Sequence, residues 1–144
     1  KDKMQWLLSA NKGGHFNELK KAASGGELSR IMLGVKSILA SKSNLPTIIF
    51  DEIDTGVSGD IAQKMAEILQ KMGGDMQVIA ITHLPQIAGK GRTHFKIYKE
   101  DSGQTTTTRL IELAPEERIE ELAMMLGGKD ISESAVAHAK ALLN

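Results

Sequence analysis

Cysteine is absent from the 144 residues. That excludes a disulfide scaffold and a thiolate metal centre, and it is compatible with a reducing compartment. Aromatic residues make up only 3% of the chain, which leaves little for a base-stacking platform. Net charge is absent too, since 18 Lys and Arg are balanced by 18 Asp and Glu. A chain so balanced does not hold nucleic acid by bulk charge alone. Apolar runs are only a few residues long, so no transmembrane helix is expected. No basic stretch followed by an apolar one opens the chain, so no signal peptide is expected. The first residues are Lys1-Asp2-Lys3 rather than Met, the expectation for a piece of something longer.

The rest of the composition is ordinary. Hydrophobic residues make up 41% and charged residues 25%, which excludes a disordered tail. The length fits a single domain over residues 1–144, large enough to bury a core without staples. No internal repeat or low-complexity segment is present.

Met4 to Leu8 reads as a short strand, and Asn11-Lys12-Gly13-Gly14 as a loop. Leu28, Ile31, Met32, Val35, Ile38 and Leu39 recur at helical spacing and predict an amphipathic helix from Glu27 to about Ala40. Thr47-Ile48-Ile49-Phe50 is a short apolar run suited to a parallel strand covered on both faces. Ile61, Met65, Ile68, Leu69 and Met72 mark a second helix, closed by Gly73-Gly74. Gln77 to Ile81 is the next buried strand, and strand, helix, strand makes a βαβ unit with a right-handed crossover. Phe95 to Tyr98 and Thr106 to Leu113 read as a hairpin at the sheet edge. Pro115 opens a helix that Gly127-Gly128 ends, and a last helix runs from about Ser132 to Leu143. The fold class is therefore α/β, with a mostly parallel sheet flanked by helices.

Three features carry chemistry. Ser24-Gly25-Gly26-Glu27 stands directly before a helix, where glycines admit a ligand and free amides favour an anion. The same Ser24 and Glu27 also fit a capping box, which on its own is the stronger reading. Asp51 and Glu52 end a buried strand, where ligands of open α/β sheets bind. Asp suits hydrated Mg²⁺, and the neighbouring Glu suits a water attacking a phosphoryl group; both could equally cap the next turn. His83 ends the following parallel strand at the same sheet edge and could reach a phosphate or a water, or be a plain loop histidine. His15, His94 and His138 show no metal-ligand spacing with it.

The order of these features is that of the C-terminal half of an ABC-type ATPase head. Ala23 to Arg30 resembles the ABC signature, Thr47 to Glu52 a Walker B strand, and Ile81-Thr82-His83 the H-loop. Transporter heads usually carry Gln after the two glycines and Pro after the Walker B Glu, where this chain has Glu27 and Ile53. Phe50 to Gly59 and the tail, with Glu121-Leu122-Ala123 and Met125-Leu126-Gly127-Gly128, is similar to the RecN family of bacterial SMC-like DNA repair ATPases. The resemblance covers the chain from about Ser9.

The resemblance implies a division of labour. Asp51 holds Mg²⁺, Glu52 is the catalytic base on the attacking water, and His83 contacts the γ-phosphate of ATP. Ser24, Gly25, Gly26 and Glu27 serve the ATP held by a partner head. Asp54, Thr55, Gly56, Val57, Ser58 and Gly59 form a D-loop that communicates across the dimer. Two heads sandwich two ATPs, and the full-length assembly acts on DNA during recombinational repair of double-strand breaks, in the bacterial cytoplasm at the nucleoid, with no membrane. The glycine loops are expected to be loose without nucleotide and partner.

One element of such a site is missing. No P-loop, G-x-x-x-x-G-K-[ST], occurs in the chain. In the resembled family it lies in an N-terminal lobe across a long coiled coil. The chain thus reads as the C-terminal lobe alone, inactive by itself, needing that N-terminal lobe for ATP and Mg²⁺. Two other readings are a transporter ATPase subunit and a non-catalytic ABC-like dimerisation module. Lys90, Arg92, His94, Lys96 and Lys99 form a basic cluster that could touch DNA, although Glu100 and Asp101 beside it favour a solvated hairpin face.

Overall fold

The computed structural model describes residues 4–9, 12–103 and 105–144. The loop reading at Asn11 lies outside these residues. The chain divides into two compact units, Lys1–Thr82 and His83–Asn144.

The first unit opens with a short antiparallel pair, β1 (Leu7–Leu8) and β2 (Asn17–Glu18), followed by a single turn, α1 (Leu19–Ala22). The strand read at Met4 to Leu8 is therefore two residues long. α2 (Gly25–Ser43) follows, then β3 (Thr47–Asp51), α3 (Gly59–Met72) and β4 (Gln77–Ile81). α2 starts two residues before Glu27, because Ser24 caps it and both glycines join its first turn. It stops at Asn44, which takes the left-handed conformation and donates its N–H to the Ala40 carbonyl. Pro46, two residues on, cannot continue a helix.

β3 and β4 are parallel, paired from Thr47 with Gln77 to Asp51 with Ile81. The ladder runs one bond further at each end. Gln77 N–H donates to Pro46 O at 2.9 Å, and Glu52 N–H to Ile81 O at 3.1 Å. The two faces of this sheet differ. Phe50 is fully buried, with the Lys36 ammonium of α2 lying 5.6 Å from its ring centroid. On the opposite face Ile49 is 58% exposed, Ile79 42% and Ile81 46%. Both faces were expected to be covered, and among the described residues only one is.

α3 buries Ala62, Met65, Ala66, Leu69 and Met72, a stripe at helical spacing. Ile61 and Ile68, which the apolar pattern placed in that stripe, lie mostly outside it. Alanines take the inner positions. On α2 likewise, Ile38 and Leu39 are exposed while Leu33 and Ala40 are buried.

The second unit contains α4 (Pro85–Lys90), β5 (Phe95–Asp101), β6 (Thr106–Glu112), α5 (Pro115–Gly127) and α6 (Glu133–Leu143). β5 and β6 form the expected hairpin, from Phe95 opposite Glu112 to Asp101 opposite Thr106. Within this unit it forms a two-stranded antiparallel sheet. α5 and α6 pack through Leu122, Ala123, Ala135 and Ala139, with Ala88 of α4 against them. α4 lies so close to α6 that a Cβ on Gly89 would stand 3.0 Å from the Leu142 backbone oxygen. Pro115 occupies the first turn of α5, the Glu117 carboxylate accepts from the Ala114 N–H at 2.8 Å, and the left-handed Gly128 closes the helix. Ser132 caps α6 by accepting from Ala135 N–H at 3.2 Å.

Arg118 of α5 ties the unit together. Its guanidinium donates to the carbonyls of Ala88 at 3.2 Å, Gly89 at 3.0 Å and Arg92 at 3.1 Å, and also to that of Gly91. These carbonyls lie in the last turn of α4, where intrahelical partners run out, and just beyond it; that of Ala88 also accepts from the Gly91 N–H at 3.4 Å. No helix among the described residues is long and apolar enough to cross a membrane.

Candidate functional site

The three chemical features fall in the first unit, except for His83, the opening residue of the second. At the first feature both readings of Ser24 to Glu27 meet in one arrangement. Ser24 Oγ accepts from the Glu27 N–H at 3.4 Å, and the Glu27 carboxylate accepts from the Ser24 N–H and hydroxyl, both at 2.8 Å. A capping box is formed, and it stands at the N-terminus of a 19-residue helix. Gly25 and Gly26 are helical residues and not a free loop, and Gly26 is buried.

The hydrogen bonds from the Ser24 backbone and hydroxyl hold the Glu27 carboxyl below its ordinary range, and Arg30 adds to this. A lowered carboxylate pKa favours the folded state above the unfolded pKa. That contribution is lost as pH falls through the lowered value. Amide exchange at Glu27 and Leu28 is therefore expected to accelerate below the ordinary glutamate range, before the rest of the fold responds. Exchange that stays constant down to acid unfolding would show the carboxylate to be dispensable to the cap.

At the second feature Asp51 closes β3 and Glu52 follows it, both exposed. Neither carboxylate is engaged by another side chain among the described residues, so both are available to a ligand. Glu52 has φ +49°, the left-handed region that non-glycine residues seldom enter. Its backbone is held there by its N–H bond to Ile81 O and by Thr55, whose hydroxyl donates to Glu52 O at 3.0 Å. A concavity of about 230 Å³ opens beside them, lined by Ser29, Met32 and Lys36 of α2 as well as by Asp51 and Glu52. No group of three or more potential metal ligands is assembled among the described residues. A single free carboxylate at a strand end nevertheless suits Mg²⁺, which keeps its waters and takes its other ligands from phosphates.

The turn from Glu52 to Ser58 holds two features that spacing did not disclose. Asp54 is completely buried, and its Oδ2 accepts a hydrogen bond from the Thr82 hydroxyl. Thr82 is the last residue of the first unit, one before His83. The second feature is the contact of Gly56 with α2. A Cβ built on Gly26 would stand 2.6 Å from the Gly56 carbonyl oxygen, and Gly56 itself has φ +71°. The only hint in the sequence was a carboxylate placed among small turn residues. His83 is exposed. In the second unit, Lys96 pairs with Glu121 and Arg109 with Glu100 at 3.0 Å, so the basic cluster around the hairpin is partly neutralised.

No protein-family model matches the chain. Curated relatives do. Over 142 residues the chain is 46% identical to DNA repair protein RecN of Bacillus subtilis and 44% identical to that of Vibrio cholerae. Each match covers 99% of this chain and 25% or 26% of the relative. The chain thus spans about a quarter of the length of the relatives it matches. Among solved structures it resembles the Smc head domain of Pyrococcus yayanosii with a TM-score of 0.65 at 21% identity, covering 76% of this chain and 20% of that one. The SMC head domain of Thermotoga maritima gives 0.55 at 19%, covering 71% and 37%. A structure from work on ATP-driven dimerization and DNA-stimulated activation of SMC ATPases gives 0.65 at 18%, covering 82% and 70%. At such identities these likenesses speak for the fold. The chain accordingly resembles part of an SMC ATPase head in fold, and in sequence it is similar to about a quarter of the length of the RecN DNA repair proteins.

Proposed function

We propose that the chain is the C-terminal lobe of an SMC-like ATPase head, which joins a P-loop-bearing N-terminal lobe to bind and hydrolyse ATP between two heads during DNA double-strand break repair. On this reading all 144 residues belong to that one lobe. The observation that carries it is the pairing of two unengaged acids at the end of a parallel strand with a capped helix start whose first turn packs on the loop after those acids. The relatives' name and the SMC-head fold support it.

The family resemblance gives each residue its part in the chemistry, and the residue types are consistent with it. Asp51 holds Mg²⁺, which screens phosphate charge when bound. Glu52 accepts a proton from the attacking water. His83 follows Thr82 and contacts the γ-phosphate. Ser24, Gly25 and Gly26 meet the γ-phosphate bound by the partner head, with the α2 dipole behind them. The Ser24 hydroxyl leaves Glu27 to do so, and Glu27 keeps the Ser24 N–H. Asp54 to Gly59 form the loop between the heads. The bare sheet face at Ile49, Ile79 and Ile81 receives the N-terminal lobe. The protein works in the bacterial cytoplasm at the nucleoid.

The test is to join this lobe to the P-loop lobe of its own protein. ATP turnover is expected only on joining, measured with and without DNA. Turnover by the purified, contaminant-free chain alone would overturn the division of labour. No turnover in a joined protein that still dimerises would favour a scaffold instead.

A further inference from the structure

The contact between Gly26 and Gly56 links two segments that serve different nucleotides on the reading above. Gly26 lies in the first turn of α2, 30 residues of chain away from Gly56. A Cβ on Gly26 would lie 2.6 Å from the Gly56 oxygen and 3.3 Å from its carbonyl carbon. Both neighbours are backbone atoms, which cannot swing aside as a side-chain tip does. From the other side, a Cβ on Gly56 would meet Gly26 N at 3.4 Å and its Cα at 3.7 Å. Gly56 also sits at φ +71°, where a side chain is strained. Gly25, next in the chain, has open space around its Cβ position. Of two adjacent glycines, one therefore has room for a methyl group within this chain and the other is required by a contact.

The turn on the far side of this contact is itself tightly tied. Val57 N–H donates to Asp54 O at 3.0 Å, Thr55 binds Glu52 O through its hydroxyl, and buried Asp54 accepts from Thr82 at the end of β4. A displacement of Gly56 thus has few ways to dissipate before it reaches Glu52 and Asp54.

We propose that Gly26 is a positioning residue, whose missing side chain seats the start of α2 and the turn from Glu52 to Val57 against each other as one backbone unit. Its meaning rests on the ATPase reading. The start of α2 meets the ATP of the partner head, while Glu52 acts on the ATP of its own. The Gly26–Gly56 contact then passes occupancy of one nucleotide site to the acids of the other through a single chain. Such coupling is reciprocal by thermodynamic necessity.

The test uses hydrogen exchange in the intact protein without nucleotide. Gly26→Ala is expected to accelerate exchange of the Val57 amide by about tenfold or more, whereas Gly25→Ala leaves it within about twofold. The Leu122 amide in the second unit stays unchanged, which separates a local effect from general destabilisation. Gly56→Ala gives the reciprocal arm, read at the Leu28 amide, which donates to Ser24 O at 2.9 Å. That arm serves equally should Gly26→Ala fail to fold. Equal Val57 rates in the two α2 variants, or a Gly56→Ala effect confined to its own turn, would overturn the proposal. ATP is absent throughout, so the result stands apart from the ATPase reading. If the contact couples the loops but the intact protein turns over no ATP, that reading fails and the coupling remains.

Discussion

Glu52→Gln in the intact protein is expected to lower ATP turnover by about 10²- to 10⁴-fold, the usual contribution of a positioned general base. The substitution keeps the size of the side chain and removes only its ability to take a proton. The Glu52 carboxylate has no side-chain partner among the described residues, so its loss leaves no buried group unsatisfied. The fold should therefore survive, and with it the binding of ATP. Heads that bind without hydrolysing should accumulate as ATP-bound dimers. Single-turnover kinetics together with size-exclusion chromatography in ATP would read both effects at once. Turnover within a few-fold of the unsubstituted protein would remove Glu52 from the chemistry and leave it a turn residue.

Arg118→Met is the second large effect, this time on stability. It should cost roughly 2–4 kcal/mol, about the worth of one or two hydrogen bonds to a charged group, because water can replace the guanidinium at the exposed carbonyls of Gly91 and Arg92 but less readily at those of Ala88 and Gly89. Methionine keeps much of the aliphatic stem, so packing is a minor part of the loss. Arg118→Lys should recover only a fraction, since an ammonium lacks the planar fork that reaches several carbonyls together. Urea unfolding followed by circular dichroism measures the cost. A loss near zero would mean that water replaces the guanidinium at those carbonyls.

His94 gives this prediction a second readout. Burial lowers its pKa first, Arg118 lowers it further, Glu121 opposes the shift and Lys96 adds to it. A lowered histidine pKa means that the unfolded chain binds the proton more readily. His94 therefore supports the fold above the ordinary histidine range, and that support is lost as pH falls through it. Without the Arg118 charge, the His94 titration should move up, and the acid side of the stability profile should flatten. Proton NMR of the imidazole follows this directly.

Much of the fold was legible because the pattern is local. β4 runs from Gln77 to Ile81 as its apolar run predicts, and α5 starts at Pro115 and ends at its glycines. What escaped was either too short or not local. β2 has two residues, α1 four and α4 six, fewer than periodicity can resolve. The exposed Ile49 and Ile79 misled because an apolar run announces burial without saying what does the burying. At the candidate site, residue type and position singled out Ser24, Glu27, Asp51 and Glu52. Burial of Asp54 and its bond to Thr82 were not, since those partners are 28 residues apart. The Gly26–Gly56 contact was hidden for a similar reason: two glycines in separate motifs each had a sufficient local explanation.

On the proposed function, the backbone at Glu52 sets activity against durability. A non-glycine residue held in the left-handed region costs of order 1–3 kcal/mol, and the acid at this position carries that cost wherever it is retained. Glycine would relieve it and abolish the base in the same stroke. Any selection of this protein for heat resistance alone should therefore drift towards a glycine at position 52 and yield a sturdier protein that no longer turns over. On the proposed function, a search for hardier variants has to select on turnover as well, or it will discard the proposed base.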